Sequence, residues 1–166
     1  MTEKLIGALL LFLGGTLAGK AAADGVRRRE ALTEDMIFSL GVMQSEMELL
    51  QTPTPALLKR LSGLGGTECR AFFAEVLREM EKKPLMIAWQ EASDRLCMPG
   101  NAAETVARLG AVLGRFDSVS QSREIEHCRR TLGEIIQIER RGSGERRRAY
   151  IGAGACLGLT AAVILI

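Results

Sequence analysis

The chain has 166 residues and a formal net charge of only +2. That balance, with a single Trp and a single Tyr, argues against a nucleic-acid-binding surface, which needs clustered cations and stacking aromatics. The four cysteines (Cys69, Cys97, Cys128 and Cys156) form no C-x-x-C pair, so each is predicted to be a reduced, small and buried apolar residue.

The first predicted element is an apolar N-terminal helix that crosses a membrane. Residues 5–19 carry no charge. With Lys20 snorkelling and residues 21–23 added, the run approaches the roughly 20 residues that span a bilayer. Residues 27–29 are all arginine, and arginine favours the cytoplasmic flank of a span. We therefore expect the chain to continue on the cytoplasmic side.

A cleaved signal peptide is the alternative for the N-terminus. Lys4 would then be its basic start, residues 5–13 its apolar region, and the alanines at 21–23 its cleavage site. Against this alternative, the arginines at 27–29 would have to be translocated, which the charge rule disfavours.

The middle of the chain is predicted to be helical throughout. No run alternates with period two, and apolar residues recur at spacings of three and four. The fold class is therefore all-α: a compact bundle of about six helices, with the first and last continuing into transmembrane spans. The predicted helices are 27–51, 55–62, one from Thr67 through Met80, one from Pro84 through Leu96, one from Asn101 to about Gly114, and one from Asp117 or Ser118 onward.

Local signals are expected to set the ends of these helices. Thr54 and Thr67 are predicted N-caps, and Asn101 with Glu104 fits a capping box. The glycine-rich residues 142–144 are expected to interrupt the last helix softly. On the first helix, an apolar stripe at helical spacing is more typical of core than of an interface. This stripe comprises Met36, Leu40, Met43, Met47 and Leu50.

The last predicted element is a second membrane span over residues 149–166, which carry no charge. Arginines at 140–141 and 146–148 precede it, so its flank favours the same side as the first span. A buried core helix is the alternative. The predicted organisation is an N-terminal transmembrane helix at 1–24, a cytoplasmic helical bundle at 25–148 and a C-terminal transmembrane helix at 149–166.

Two pairs of glycines are candidates for close packing of the membrane helices. Gly15 and Gly19 lie four residues apart in the first predicted span, and Gly154 and Gly158 do so in the second. Small residues at this spacing let two helices approach closely.

Catalytic and cofactor signals are weak, so neither an enzyme nor a cofactor is expected. His127 is the one histidine, and neighbouring Cys128 points about 100° away on a helix, which disfavours a shared metal. The glycines at 63–66 and 142–144 match no nucleotide-binding loop. A hydrolase that uses His127 and Cys128 is the remaining enzyme alternative.

The chain also resembles a known family at several motifs. The most specific is Leu109-Gly110-x-x-Leu113-Gly114-x-x-Asp117-x-x-x-Gln121. Together these motifs are similar to those of the stage III sporulation protein AB family. The others are residues 4–10 (KLIGALL), Ser45-Glu46-Met47 followed by residues 52–57 (TPTPAL), and Ala88-Trp89.

This resemblance implies a non-catalytic platform protein in the mother-cell membrane that faces the forespore. It would be a two-pass component of a sporulation channel related to type II secretion and type IV pilus machines. The implied partners are a cytosolic secretion-type ATPase of the same operon and other membrane components of the channel; a homo-oligomer is left open. The candidate partner contacts are Glu46, Asp117 and Gln121. The alternative is an exported helical domain that is anchored by its C-terminal tail and acts as an envelope interaction protein.

Overall fold

A computed structural model describes the backbone of residues 2–50, 52–114 and 118–165, and the side chains at 14, 17, 19–50, 52–114, 119–142 and 152. These residues form six helices and no strand, which confirms the predicted all-α bundle. The helices are α1 Thr2–Leu49, α2 Thr54–Leu61, α3 Thr67–Glu79, α4 Leu85–Ser93, α5 Ala102–Leu109 and α6 Ser118–Leu165.

The chain divides into two compact units. The terminal unit comprises Met1–Arg28 and Glu139–Ile166, and the central unit comprises Arg29–Ile138. Among the described residues, no helix combines the length and apolar character needed to cross a bilayer. Most residues of the predicted spans have side chains that lie outside the described set.

A proline-rich turn ends α1 and sets the start of α2. The helix stops at Leu49, two residues before the predicted end, because the prolines that follow lack an amide donor and restrict the residues before them. The predicted cap at Thr54 is wrong. Pro53 occupies the cap position in an extended conformation without a side-chain hydrogen bond, and Thr54 is already helical.

The shorter helices start and end close to the predicted positions, with three corrections. Gly66 rather than Thr67 occupies the cap position of α3. α4 ends at Ser93, so Leu96 follows it, and α5 ends at Leu109 rather than near Gly114.

The predicted capping box of α5 does not form. Asn101 is at the cap position, but its φ of −97° and ψ of 18° depart from the extended backbone of capping residues. Its side chain makes no cap hydrogen bond. The backbone carbonyl of Asn101 instead accepts a hydrogen bond from the Thr105 hydroxyl at 3.0 Å.

α6 begins at Ser118, as predicted, and continues without interruption. The expected break at residues 142–144 is wrong, because the backbone there is helical. Gly and Ser only weaken a helix, by about 1 kcal/mol or less each, and flanking residues with high helix propensity offset that cost.

The core of the central unit contains the predicted methionine stripe. Met36, Leu40 and Met43 are fully buried, which confirms their core role, whereas Leu50 lies past the helix end and is 64% exposed. One cluster of buried residues joins α1 to every other helix. Its members from the other helices include Leu57, Leu58, Leu61, Phe72, Phe73, Val76, Trp89, Val106, Leu109, Ile125 and Leu132.

Three cysteines lie in the described part of the central unit, and all are free thiols. Cys69 and Cys128 are buried, as predicted, but Cys97 is exposed because it follows the end of α4. Burial raises the pKa of the Cys69 thiol, and it raises the pKa of Cys128 to about 12. The side chain of Cys156 lies outside the described set.

Candidate partner-binding surface

A half-buried arginine, Arg129, connects α6 to α1 through a contact that we call the Arg129 clamp. The Arg129 guanidinium lies directly over Gly41, where a Cβ would meet it at 3.3 Å. Its Nη1 donates to Gln44 Oε1 at 2.9 Å and pairs with Glu126 Oε2 at 2.9 Å. Because Gly41 has no side chain, the two helices approach closely enough for this contact, which fixes the relative position of their exposed faces.

A second polar contact joins the same helices one turn further along α1. Ser122 donates a hydrogen bond to the Glu48 carboxylate, and Gln44 Nε2 donates to it at 3.2 Å. These hydrogen bonds lower the pKa of the Glu48 carboxyl, with the Ser122 bond as the larger cause. Glu48 therefore stays ionised and is held by its own chain.

Beside this contact lies a groove of about 590 Å³, which we call the basic groove. Arg123, His127 and Arg130 are exposed along one wall, at spacings of four and three residues that place them on one face of α6. Among the described residues, none of the three makes an ion pair within 4.0 Å. The full lining is Gln44, Glu48, Val119, Ser122, Arg123, Glu126, His127 and Arg130.

The helix separates His127 from Cys128. His127 lines the basic groove, whereas Cys128 lies in the core with its Sγ 3.7 Å from the Thr105 carbonyl oxygen. A thiol with a pKa of about 12 is almost entirely protonated at neutral pH, so it is a poor nucleophile. This geometry provides no thiolate–imidazole pair. In the described part of the chain, no group of three or more His, Cys, Asp or Glu side chains could hold a metal ion.

On the other side of the α1–α6 contact lies a second groove of about 800 Å³, which we call the apolar groove. Phe38 and Leu49 are exposed at its wall, by 57% and 80% respectively. Leu50 and Ile136 extend the apolar lining. Apolar side chains that are exposed together on one face are typical of interaction surfaces.

The predicted contact residue Glu46 is engaged inside its own chain. It is only 7% exposed, and its carboxylate pairs with Arg60 Nη1 at 2.6 Å and accepts a hydrogen bond from the Thr52 hydroxyl at 3.0 Å. The Glu46 carbonyl also accepts the backbone amide of Leu50 at 3.1 Å. These contacts hold the turn between α1 and α2, and a partner role for Glu46 stays a prediction.

The predicted contact Gln121 lies in the first turn of α6. Gln121 is 9% exposed, and its Oε1 accepts the Gly114 amide at 3.1 Å. Gly114 has a φ of +77°, which residues with a side chain rarely adopt. Gly114 and Gln121, which both belong to the family-like motif, are thus joined by a hydrogen bond. Asp117 lies outside the described residues, so its role stays a prediction.

The four glycines proposed for membrane-helix packing all have helical backbone. Gly19 is buried, and the surroundings of Gly15, Gly154 and Gly158 lie outside the described set. α1 and α6 contribute their outer segments to the same terminal unit. The packing role of these glycines stays a prediction.

Sequence reasoning missed the residues that line the basic groove. A signal for this surface was present in the sequence, because Arg123, His127 and Arg130 recur at helical spacing. The neighbouring acids, Glu124, Glu126 and Glu134, made the segment resemble an ordinary solvated helix face. The structure shows that Glu126 pairs with Arg129 within α6, while Arg123, His127 and Arg130 make no ion pair among the described residues.

Comparison with protein families identifies the family of the chain. The family model described as stage III sporulation protein AB matches residues 4–166. Neither the curated proteins nor the solved structures give a match to the chain.

Proposed function

The chain belongs to the stage III sporulation protein AB family, which gives it a role in sporulation; we propose that it is a non-catalytic membrane platform of a sporulation channel. In this proposal the terminal unit lies in the mother-cell membrane facing the forespore. The central unit stays in the cytoplasm and docks the secretion-type ATPase of the same operon.

The observation that carries this proposal is the outer face of α1 and α6 in the central unit. Exposed apolar side chains line one groove, and cations without an ion pair among the described residues line the other, on either side of the Arg129 clamp. A folded bundle gains little stability from such residues, whereas a partner helix laid into a groove contacts both kinds. The face therefore supports a binding role for the bundle.

Membrane placement of the terminal unit rests on sequence and is supported by the chain's division into units. Residues 5–19 and 149–166 are uncharged and have arginines on the side facing the central unit. Both runs belong to the same compact unit, and the charged helical bundle forms the other. Two spans with a common cytoplasmic flank would give this division.

Binding of the ATPase tests the proposed function directly. We expect the full chain, purified in detergent, to retain the purified ATPase on size-exclusion chromatography at micromolar concentrations. The control is a chain in which residues 30–137 are replaced by an unrelated helical bundle, and it should release the ATPase. Failure of the natural chain to retain the ATPase, or equal retention by the control, would contradict the docking role.

Thiol labelling tests the topology, and the structure selects the reporter. A variant that keeps Cys97 alone should react with a membrane-impermeant maleimide only after the cells are permeabilised, because Cys97 is exposed on the central unit. A variant that keeps Cys128 alone should stay unlabelled until denatured, since this thiol is buried with a pKa of about 12. Labelling of Cys97 in intact cells would instead support an exported domain.

A further inference from the structure

The basic groove has an unusual charge arrangement for a folded surface. Its two acids already have partners within the chain: Glu48 accepts from Ser122, and Glu126 pairs with Arg129. Arg123 and Arg130, by contrast, make no ion pair among the described residues. The groove thus keeps the positive charge of its cations available to an external ligand.

The spacing of the basic side chains in the groove matches one kind of ligand. Arg123 and Arg130 lie seven positions apart in α6, about 10 Å along the helix axis, and His127 lies between them. Carboxylates at positions i, i+4 and i+7 of a second helix have the same spacing, and arginine binds carboxylates with paired hydrogen bonds. Val119, 57% exposed at one end of the groove, offers contact to an apolar residue of that helix.

We propose that the basic groove binds an acidic helical segment of the docked partner, with Arg123 and Arg130 pairing with its carboxylates. This inference rests on the proposed function and identifies the surface and the partner chemistry that carry it. The charge distribution of the groove favours such a helix over a nucleic acid. The acidic side chains of Glu48 and Glu126 line the same groove and would repel a phosphate backbone, while a helix can place basic or neutral residues opposite them.

Charge reversal in the full chain tests the groove. We expect R123E/R130E to weaken binding of the purified ATPase at least tenfold, because two attractive contacts become repulsive. R70E/K82E is the matched control, since it changes the net charge equally at two exposed residues away from the groove, and it should bind within about twofold of the natural chain.

Two further measurements make the result specific. R123K/R130K keeps the charges and should retain most of the binding, and R123Q/R130Q should bind with an intermediate affinity. Affinity of the natural chain should fall as NaCl rises from about 50 to 300 mM, and R123E/R130E should lose that dependence. Far-UV circular dichroism and the thermal midpoint confirm that each variant is folded.

The outcomes separate this inference from the proposed function. If the natural chain does not bind the ATPase, the docking role and the groove inference both fail. If the natural chain binds and R123E/R130E binds equally well, only the groove inference is overturned. Displacement of the ATPase by a single-stranded oligonucleotide from the natural chain but not from R123E/R130E would assign the groove to nucleic acid and would also overturn it.

Discussion

Replacing Trp89 by alanine is expected to lower the free energy of unfolding by about 3–5 kcal/mol, because it removes the largest of the fully buried side chains in the central unit. The Trp89 ring packs edge-on against Phe72 and Phe73 at centroid distances of 5.0 and 6.1 Å. Its Nε1 donates to the Val106 carbonyl oxygen at 2.7 Å. The substitution removes the centre of the contacts between α3, α4 and α5.

Chemical unfolding of the full chain in detergent, followed by far-UV circular dichroism, measures this loss. Trp89→Phe is the control, because it keeps an aromatic ring but leaves the Val106 carbonyl without its donor. We expect it to cost about 1–3 kcal/mol. If Trp89→Ala cost no more than Trp89→Phe, packing of the ring would not be the main contribution.

Gly110→Ala is expected to destabilise the bundle by about 1–3 kcal/mol, although Gly110 has an ordinary helical conformation. The reason is steric, because an added Cβ would lie 2.5 Å from Cδ1 and 2.7 Å from Cγ of the fully buried Trp89 ring. The ring cannot move away without displacing Phe72 and Phe73. The fluorescence of Trp89, the only tryptophan, reports both the displacement and the unfolding transition.

Gly133→Ala is the matched control, with an effect of opposite sign. Gly133 lies inside α6, and nothing lies within 4 Å of an added Cβ. Alanine there should stabilise the chain by about 0.5–1 kcal/mol, since it reduces the conformational freedom of the unfolded state. In the double variant Trp89→Ala/Gly110→Ala, the cost should be smaller than the sum of the single costs, because removal of the ring removes the clash. Strict additivity would contradict the proposed contact.

The same contact gives a physical reason for the family-like motif around Gly110. Leu109 and Leu113 are buried, Gly110 leaves room for Trp89, and Gly114 turns the chain with its amide bonded to Gln121. The resemblance alone made this motif a candidate source of partner contacts. In the structure, the described members of the motif position α5 and α6, so these contacts give them an architectural role.

Helix boundaries were predictable where the backbone itself limits the choice. Prolines separate α1 from α2 and precede α4, and both boundaries lie within about two residues of the prediction. Side-chain caps were not predictable. Asn101 is at the predicted cap position, but its backbone carbonyl accepts a hydrogen bond from the Thr105 hydroxyl and its side chain does not cap the helix. The continuity of α6 was also missed, because glycine and serine lower helix propensity without preventing the helix.

The sequence by itself determined the helical class, the number of helices, the buried methionine stripe and the family, because periodicity and motif spacing are local properties. Tertiary structure alone decided which charges remain available. Glu46 and Glu48 have partners on other helices, Arg60 and Ser122 respectively, whereas Arg123, His127 and Arg130 make no ion pair among the described residues. The reason is physical: periodicity assigns a side chain to a helix face, but its pairing depends on the residues that the neighbouring helix places opposite it.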